Sequence, residues 1–166
     1  LSDGISKTEA LCRAVLAAFQ VRGSMLATAE SCTGGMIAAA LTDIPGSSAV
    51  VDRGFVTYSN AAKSDLLGVD PALIEREGAV SAEVARAMAE GALARSRAAV
   101  AVAVTGVAGP GGGSLEKPVG LVWFGLASNE PSATESAIFT GDRSAIRRQS
   151  VDHALALLLR GLAALR

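Results

Sequence analysis

The segment Glu30-Ser31-Cys32-Thr33-Gly34-Gly35 joins a short apolar stretch to a run of helix formers. Small residues at a strand-to-helix junction gather unpaired backbone N–H groups, which hold an anion or a developing oxyanion. Ser31 is therefore a candidate nucleophile, with Thr33, Gly34 and Gly35 as oxyanion and substrate-binding residues. A plain structural account competes with this one: Ser31 or Thr33 caps the helix and the glycines permit close packing. Cys32 is a rival nucleophile, because a thiolate is intrinsically reactive.

A serine needs a base, and the only histidine, His153, falls inside the C-terminal helical pattern, where it reads as a packed or half-exposed residue. A Ser-His-Asp triad is therefore not expected, and lysine is the remaining common base. The chain has twelve arginines but only three lysines, Lys7, Lys63 and Lys117. Arginine keeps its proton in a protein, whereas a desolvated lysine loses it, so a lysine near a site has the stronger claim to acid–base work. Lys63 follows Val56-Thr57-Tyr58-Ser59-Asn60, and a phenol and an amine five positions apart across a strand–helix junction can face one pocket. Ser31, Tyr58 and Lys63 thus form the catalytic candidate set, against the alternative of a surface lysine and a strand-end tyrosine. Lys117, beside a glycine-rich loop, is the competing base, and Lys7 reads as solvated.

Two further segments qualify as binding elements. Thr105-Gly106-Val107-Ala108-Gly109-Pro110 and the glycines after it follow the most apolar strand candidate, where open α/β sheets bind ligands, so Thr105, Gly106 and Gly109 are expected to line the pocket. The run matches neither the dinucleotide fingerprint nor the P-loop. Arg143 and Arg147 lie four apart at a helix start, where guanidinium and helix dipole hold a phosphate together. A cation at that end of a helix calls for a compensating anion, although a solvated basic helix start accounts for the same pair.

The elements that position these groups follow from pattern and punctuation. Helices are expected over 7–22, with a stripe of Ala10, Leu11, Ala14, Val15, Ala18 and Phe19, and over 36–41, 60–67 with Asn60 as cap, 71–77, 82–96 and 142–165. Strands are expected over 25–29, 49–58, 98–104, 119–127 and 134–140, the last two as a hairpin. Helices before, between and after apolar strands predict a three-layer α/β/α sandwich with a mixed β-sheet, in one domain over 1–166.

With 166 residues, 50% hydrophobic and 19% charged, the composition is that of a folded domain. A net charge of −1 and six aromatic residues offer neither a phosphate track nor a stacking platform, so no nucleic-acid partner is expected. No apolar run is long enough for a membrane span, so no membrane association is expected either. Two cysteines and one histidine give no disulfide framework or zinc pattern, which points to a cytoplasmic protein without metal. No signal segment opens the chain, and Leu1 in place of Met points to processing or a tag remnant.

Thr28-Ala29-Glu30-Ser31-Cys32-Thr33-Gly34-Gly35, Pro45-Gly46-Ser47-Ser48, Val56-Thr57-Tyr58-Ser59-Asn60 with Lys63, Gly78-Ala79-Val80-Ser81, Thr105 to Gly112 and Lys117-Pro118-Val119-Gly120 recur in order along nearly the whole chain. Together they resemble the CinA C-terminal domain family, the bacterial nicotinamide mononucleotide deamidases also called PncC. The resemblance implies an α/β/α amidohydrolase of the standalone form, which converts nicotinamide mononucleotide to nicotinate mononucleotide and ammonia without a cofactor. It further implies a Ser/Lys mechanism in which Ser31 is nucleophile, Lys63 base and Tyr58 an assisting hydroxyl, and it leans toward a homodimer. Asp52-Arg53 and Val107 depart from the commoner family pattern. The alternative function is a non-catalytic module that binds a pyridine nucleotide or another phosphorylated metabolite. The two nucleophile candidates separate by substitution: Ser31→Ala is expected to abolish ammonia release from nicotinamide mononucleotide, and Cys32→Ala to retain it.

Overall fold

Val100, Val102 and Val104 alternate with Ala101 and Ala103, and this period-two pattern decides how the layers pack. The computed structural model describes residues 4–166, and the reading of Leu1 lies outside them. The alternating run forms β3 (Val100–Gly106), which follows β1 (Leu26–Glu30) and β2 (Val51–Val56) and precedes β4 (Leu121–Ala127) and β5 (Ala133–Ile138). These five strands make one sheet in the order β2-β1-β3-β4-β5. β1 runs parallel to both β2 and β3, whereas β4 is antiparallel to β3 and to β5. The sheet is thus mixed, as expected.

Helices cover both faces. On the valine face lie α1 (Lys7–Arg22), α2 (Met36–Thr42) and α6 (Arg143–Ala164), which bury Val15, Phe19, Leu41, Leu155 and Leu158 against Val100, Val102 and Val104. On the alanine face lie α3 (Asn60–Leu67), α4 (Pro71–Glu77) and α5 (Ala82–Ala94), with Leu67, Ile74 and Met88 against Ala101 and Ala103. Small sheet residues let α5 settle close to the strands. A Cβ on Gly125 of β4 would collide with the Ala85 carbonyl, and one on Gly91 of α5 with the Leu67 carbonyl.

Several local expectations shift. The buried stripe of α1 is Cys12, Val15, Leu16 and Phe19, while Ala10 and Ala14 face solvent. Alanine carries too little apolar surface to orient a helix against larger neighbours, so the stripe turns toward the bulkier set. Ser59, not Asn60, caps α3, accepting the Ala62 N–H at 3.0 Å. β2 starts later than expected because Ser47–Ala49 form a 3₁₀ turn, and it ends before Thr57 and Tyr58.

Because β1, β2 and β3 are parallel, their C-terminal ends meet at one edge of the sheet, with Glu30 beside Val56 and Val104. The central strand of this trio is β1, the position at which a 2-1-3 strand order opens a crevice. At the opposite end, Asp52 accepts from the Arg97 N–H at 3.0 Å and from the Arg97 and Arg53 guanidinium groups at 2.8 and 2.7 Å. The Arg97 N–H, with both guanidinium groups, holds the Asp52 carboxyl down to about 2. The close approach of α5 makes Gly125→Ala costly: overpacking of this kind destabilises by roughly 1–3 kcal/mol, a fall of about 2–12 °C in Tm readable by thermal denaturation.

Candidate active site

Ser31 leaves the sheet at the end of β1 while its N–H still donates to the Val104 carbonyl at 3.0 Å. α3 begins directly after β2, and its inward face carries Lys63 into the interior, where only 1% of the residue is exposed. Lys63 Nζ stands 3.0 Å from Ser31 Oγ, 3.0 Å from the Thr57 carbonyl and 3.4 Å from the Tyr58 carbonyl. Among the described residues no carboxylate pairs with it. Burial pushes the amine below its ordinary range, and negative charge on Cys32 would act in the opposite direction. The three neighbours suit either protonation state. An ammonium donates to all three, whereas a neutral amine donates to the two carbonyls and turns its lone pair toward the Ser31 hydroxyl.

The turn after Ser31 is held by two backbone bonds, Gly34 N–H to the Ser31 carbonyl and Met36 N–H to the Thr33 carbonyl, each 3.0 Å. It needs left-handed backbone at Gly34 and Gly35, with φ of +58° and +101°. Among the described residues, the N–H groups of Thr33 and Gly35 have no protein acceptor. Thr33 Oγ1 is likewise buried without a partner. Cys32 is buried, which pushes its thiol up to about 11 and keeps it protonated at neutral pH.

Of the amides of Thr33, Gly34 and Gly35 expected to meet a ligand, that of Gly34 is taken by the Ser31 carbonyl, and the first turn of α2 beyond them is taken by a side chain. Glu30, 1% exposed, accepts the Ile37 N–H at 2.8 Å on one oxygen and the Ala38 N–H at 3.1 Å on the other. Neither Glu30 nor Thr57, whose carbonyl meets Lys63 and whose hydroxyl is buried and unpaired, stood out as a single site residue beforehand. For Glu30 the signal was present as an acidic residue in an otherwise small and apolar strand end.

Tyr58 reaches the site through its backbone carbonyl. Its ring is 62% exposed, and its hydroxyl accepts from Arg143 Nη2 at 3.0 Å, not from Lys63. Arg143 also donates to the Gly109 carbonyl at 2.8 Å and so bridges the glycine loop to the end of β2. Arg147 donates to the Cys32 and Thr33 carbonyls at 3.0 and 3.2 Å, bracing the serine turn from α6. The Thr105 hydroxyl donates to the Ala79 carbonyl at 2.8 Å, tying β3 to the loop before α5. Gly106 closes β3 against Leu121 and Val122, where a Cβ would press into both.

Lys117 donates to the Glu77 carbonyl at 2.6 Å, and Lys7 pairs with Asp152 at 3.6 Å, so Lys63 is the lysine at Ser31. His153 stacks on Phe124, its ring centroid 4.3 Å away, and meets Glu135 at 2.6 Å. Among the described residues no three His, Cys, Asp or Glu side chains cluster to hold a metal, and no helix is long and apolar enough to cross a membrane.

Known proteins are similar to this chain in sequence and fold. The CinA C-terminal domain family matches residues 8–162. The chain is 54% identical over 145 residues to the nicotinamide-nucleotide amidohydrolase PncC of Enterobacter agglomerans, covering 87% of this chain and 88% of that one. It is 57% identical over 141 residues to a CinA-like protein of Mycolicibacterium vanbaalenii, covering 84% of this chain but 33% of that longer protein. A putative competence-damage inducible protein of Symbiobacterium thermophilum is likewise longer, and 39% of it is covered at 52% identity. Among solved structures, the competence/damage inducible protein CihA of Agrobacterium tumefaciens superposes with a TM-score of 0.93 at 51% identity, covering 98% of this chain and 99% of that one. By sequence match and by fold, the chain belongs to the CinA C-terminal domain family.

Proposed function

We propose that this protein hydrolyses the carboxamide of nicotinamide mononucleotide to nicotinate mononucleotide and ammonia through an acyl-enzyme on Ser31. One observation carries the reading: a buried amine, without a counter-ion among the described residues, stands 3.0 Å from a serine hydroxyl. The names of relatives such as the Enterobacter agglomerans amidohydrolase PncC support the choice of substrate.

In this mechanism the Lys63 lone pair accepts the Ser31 proton as Oγ bonds to the carboxamide carbon. The developing oxyanion takes the N–H groups of Thr33 and Gly35. The ammonium of Lys63 returns the proton to the departing nitrogen, the C–N bond breaks and ammonia leaves. Water then attacks the acyl carbon and passes one proton to Lys63, which returns it to Ser31 Oγ as the acyl C–O bond breaks; the released acid gives its remaining proton to the ammonia, leaving carboxylate and ammonium. Chain, substrate and water supply every group in the cycle.

The pyridinium charge of the substrate, held beside Lys63, favours the neutral amine. The exposed Arg143 receives the phosphate, with Arg147 adding charge from behind the serine turn. Since Lys63 meets Ser31 directly, proton transfer needs no phenol relay, and the Tyr58 hydroxyl serves to aim Arg143. In this reading the substrate lies along Thr105, Gly106 and Gly109 at the end of β3.

Lys63→Arg keeps a cation but supplies no base, and its kcat is expected to fall about 10²–10⁴-fold in an ammonia-release assay. Retained turnover there, or binding of nicotinamide mononucleotide by the unmodified protein without ammonia, would reject the mechanism. Activity should rise with pH through a lysine midpoint below its ordinary range of about 10.4, because only the neutral amine accepts a proton. The linked stability has a definite sign: the unfolded chain binds the extra proton, so the wild type gains stability relative to Lys63→Met as pH rises from neutral toward about 10, measured by denaturant titration. Tyr58→Phe should raise KM severalfold and leave kcat within about tenfold, since it loosens Arg143 without touching the Lys63–Ser31 pair.

A further inference from the structure

The Glu30 carboxylate is a buried acidic group at the site that the mechanism leaves without a task. It immediately precedes Ser31, faces the first turn of α2 and accepts from three donors: Ile37 N–H at 2.8 Å, Ala38 N–H at 3.1 Å and Thr28 Oγ1 at 3.4 Å. Its own carbonyl meanwhile accepts the Thr57 N–H at 2.9 Å, and Thr57 presents its carbonyl to Lys63 at 3.0 Å. One residue therefore connects the serine turn, the helix behind it and the backbone that seats the base.

Burying a carboxylate is costly unless its oxygens are hydrogen-bonded, and a surface residue would cap α2 at no such cost. What burial adds is location. Glu30 clamps the second and third amides of α2 from the strand side, so residues 31–35 span a fixed gap between two anchored points. The N–H groups of Thr33 and Gly35 lie in that gap and have no protein acceptor among the described residues. The carboxylate takes the amides of Ile37 and Ala38 and none of the turn itself, so these two are among the turn's donors without a protein acceptor among the described residues.

We infer that Glu30 is a positioning residue: it sets the serine turn so that Ser31 Oγ meets Lys63 and the Thr33 and Gly35 amides stay aimed at the developing oxyanion. The inference rests on the Ser31–Lys63 reading. It differs from an acid–base role because Glu30 donates nothing to Ser31 or Lys63, its hydrogen bonds all running to the strand and the helix.

The test is steady-state ammonia release by Glu30→Gln and Glu30→Asp, with Ser31→Ala beside them, across the pH range in which activity rises. Glu30→Gln keeps the shape but replaces one acceptor oxygen by a donor facing an amide, and displacements near 1 Å in a site cost about 10²-fold in rate. Its kcat is expected to fall about 10–100-fold while KM stays within about threefold and the pH midpoint set by Lys63 does not move. Glu30→Asp keeps both acceptors on a shorter arm and should recover part of that loss. A kcat within twofold of wild type for a folded Glu30→Gln, or for folded Glu30→Asp should the first variant not fold, overturns the positioning role. A shifted pH midpoint overturns it as well, by making Glu30 part of the proton path. With Ser31→Ala inactive, those failures belong to Glu30 alone, whereas an active Ser31→Ala removes the nucleophile and the positioning role together.

Discussion

A single unmatched amine governs this molecule. Moving Lys63 into the interior, 1% exposed and hydrogen-bonded among the described residues to two backbone carbonyls and a serine, favours the form that has lost its proton. A surface lysine at the same spacing would hold its charge and be useless as a base at neutral pH. The hydrogen-bond partners of Lys63 maintain that isolation. The carbonyls of Thr57 and Tyr58 satisfy two N–H groups without adding a counter-ion, and the lysine-poor, arginine-rich usage of the chain keeps permanent cations in other roles.

The sheet accounts for how such a site is assembled. Three parallel strands deliver Ser31, Thr57 and Thr105 to one end of the sheet, so the proposed nucleophile, the carbonyl that meets Lys63 and the proposed binding segment arrive together from distant parts of the sequence. The alanine face of β3 then lets α5 and its neighbours pack tightly over the layer that also carries α3. Precision at Lys63 is thus inherited from backbone contacts such as Gly91 against the Leu67 carbonyl. Buried amines tend to open their surroundings to water, and a tightly fitted layer resists this.

Much of this was readable in advance, for identifiable reasons. Alternation in 100–104, the Pro71 and Ser81 helix starts and the hairpin turn carry strong local signals, and those elements formed as expected. Within the α1 stripe Val15 and Phe19 are buried as expected while Ala10 and Ala14 are not, because alanines fit either face, and Asn60 loses the cap to Ser59 because both residue types cap well and the spacing differs by one. Ser31 and Lys63 are 32 residues apart, and their 3.0 Å contact depends on strand order, which periodicity does not encode. The Tyr58 hydroxyl shows the limit most plainly: spacing brought it near the lysine, whereas the side chain turns outward to Arg143. Glu30 escaped notice because a buried acid is recognisable only once the helix amides facing it are located.

The Arg143 bridge has one more consequence. Its guanidinium rests on a phenol oxygen and a peptide oxygen, both neutral, at the solvent-facing rim. Neutral acceptors orient a cation without quenching it, so the phosphate of the proposed substrate would exchange weak tethers for charge-assisted ones and find the arm already extended. The long, many-rotamer arginine has surrendered its freedom before any encounter, and the entropic penalty of capture is correspondingly small.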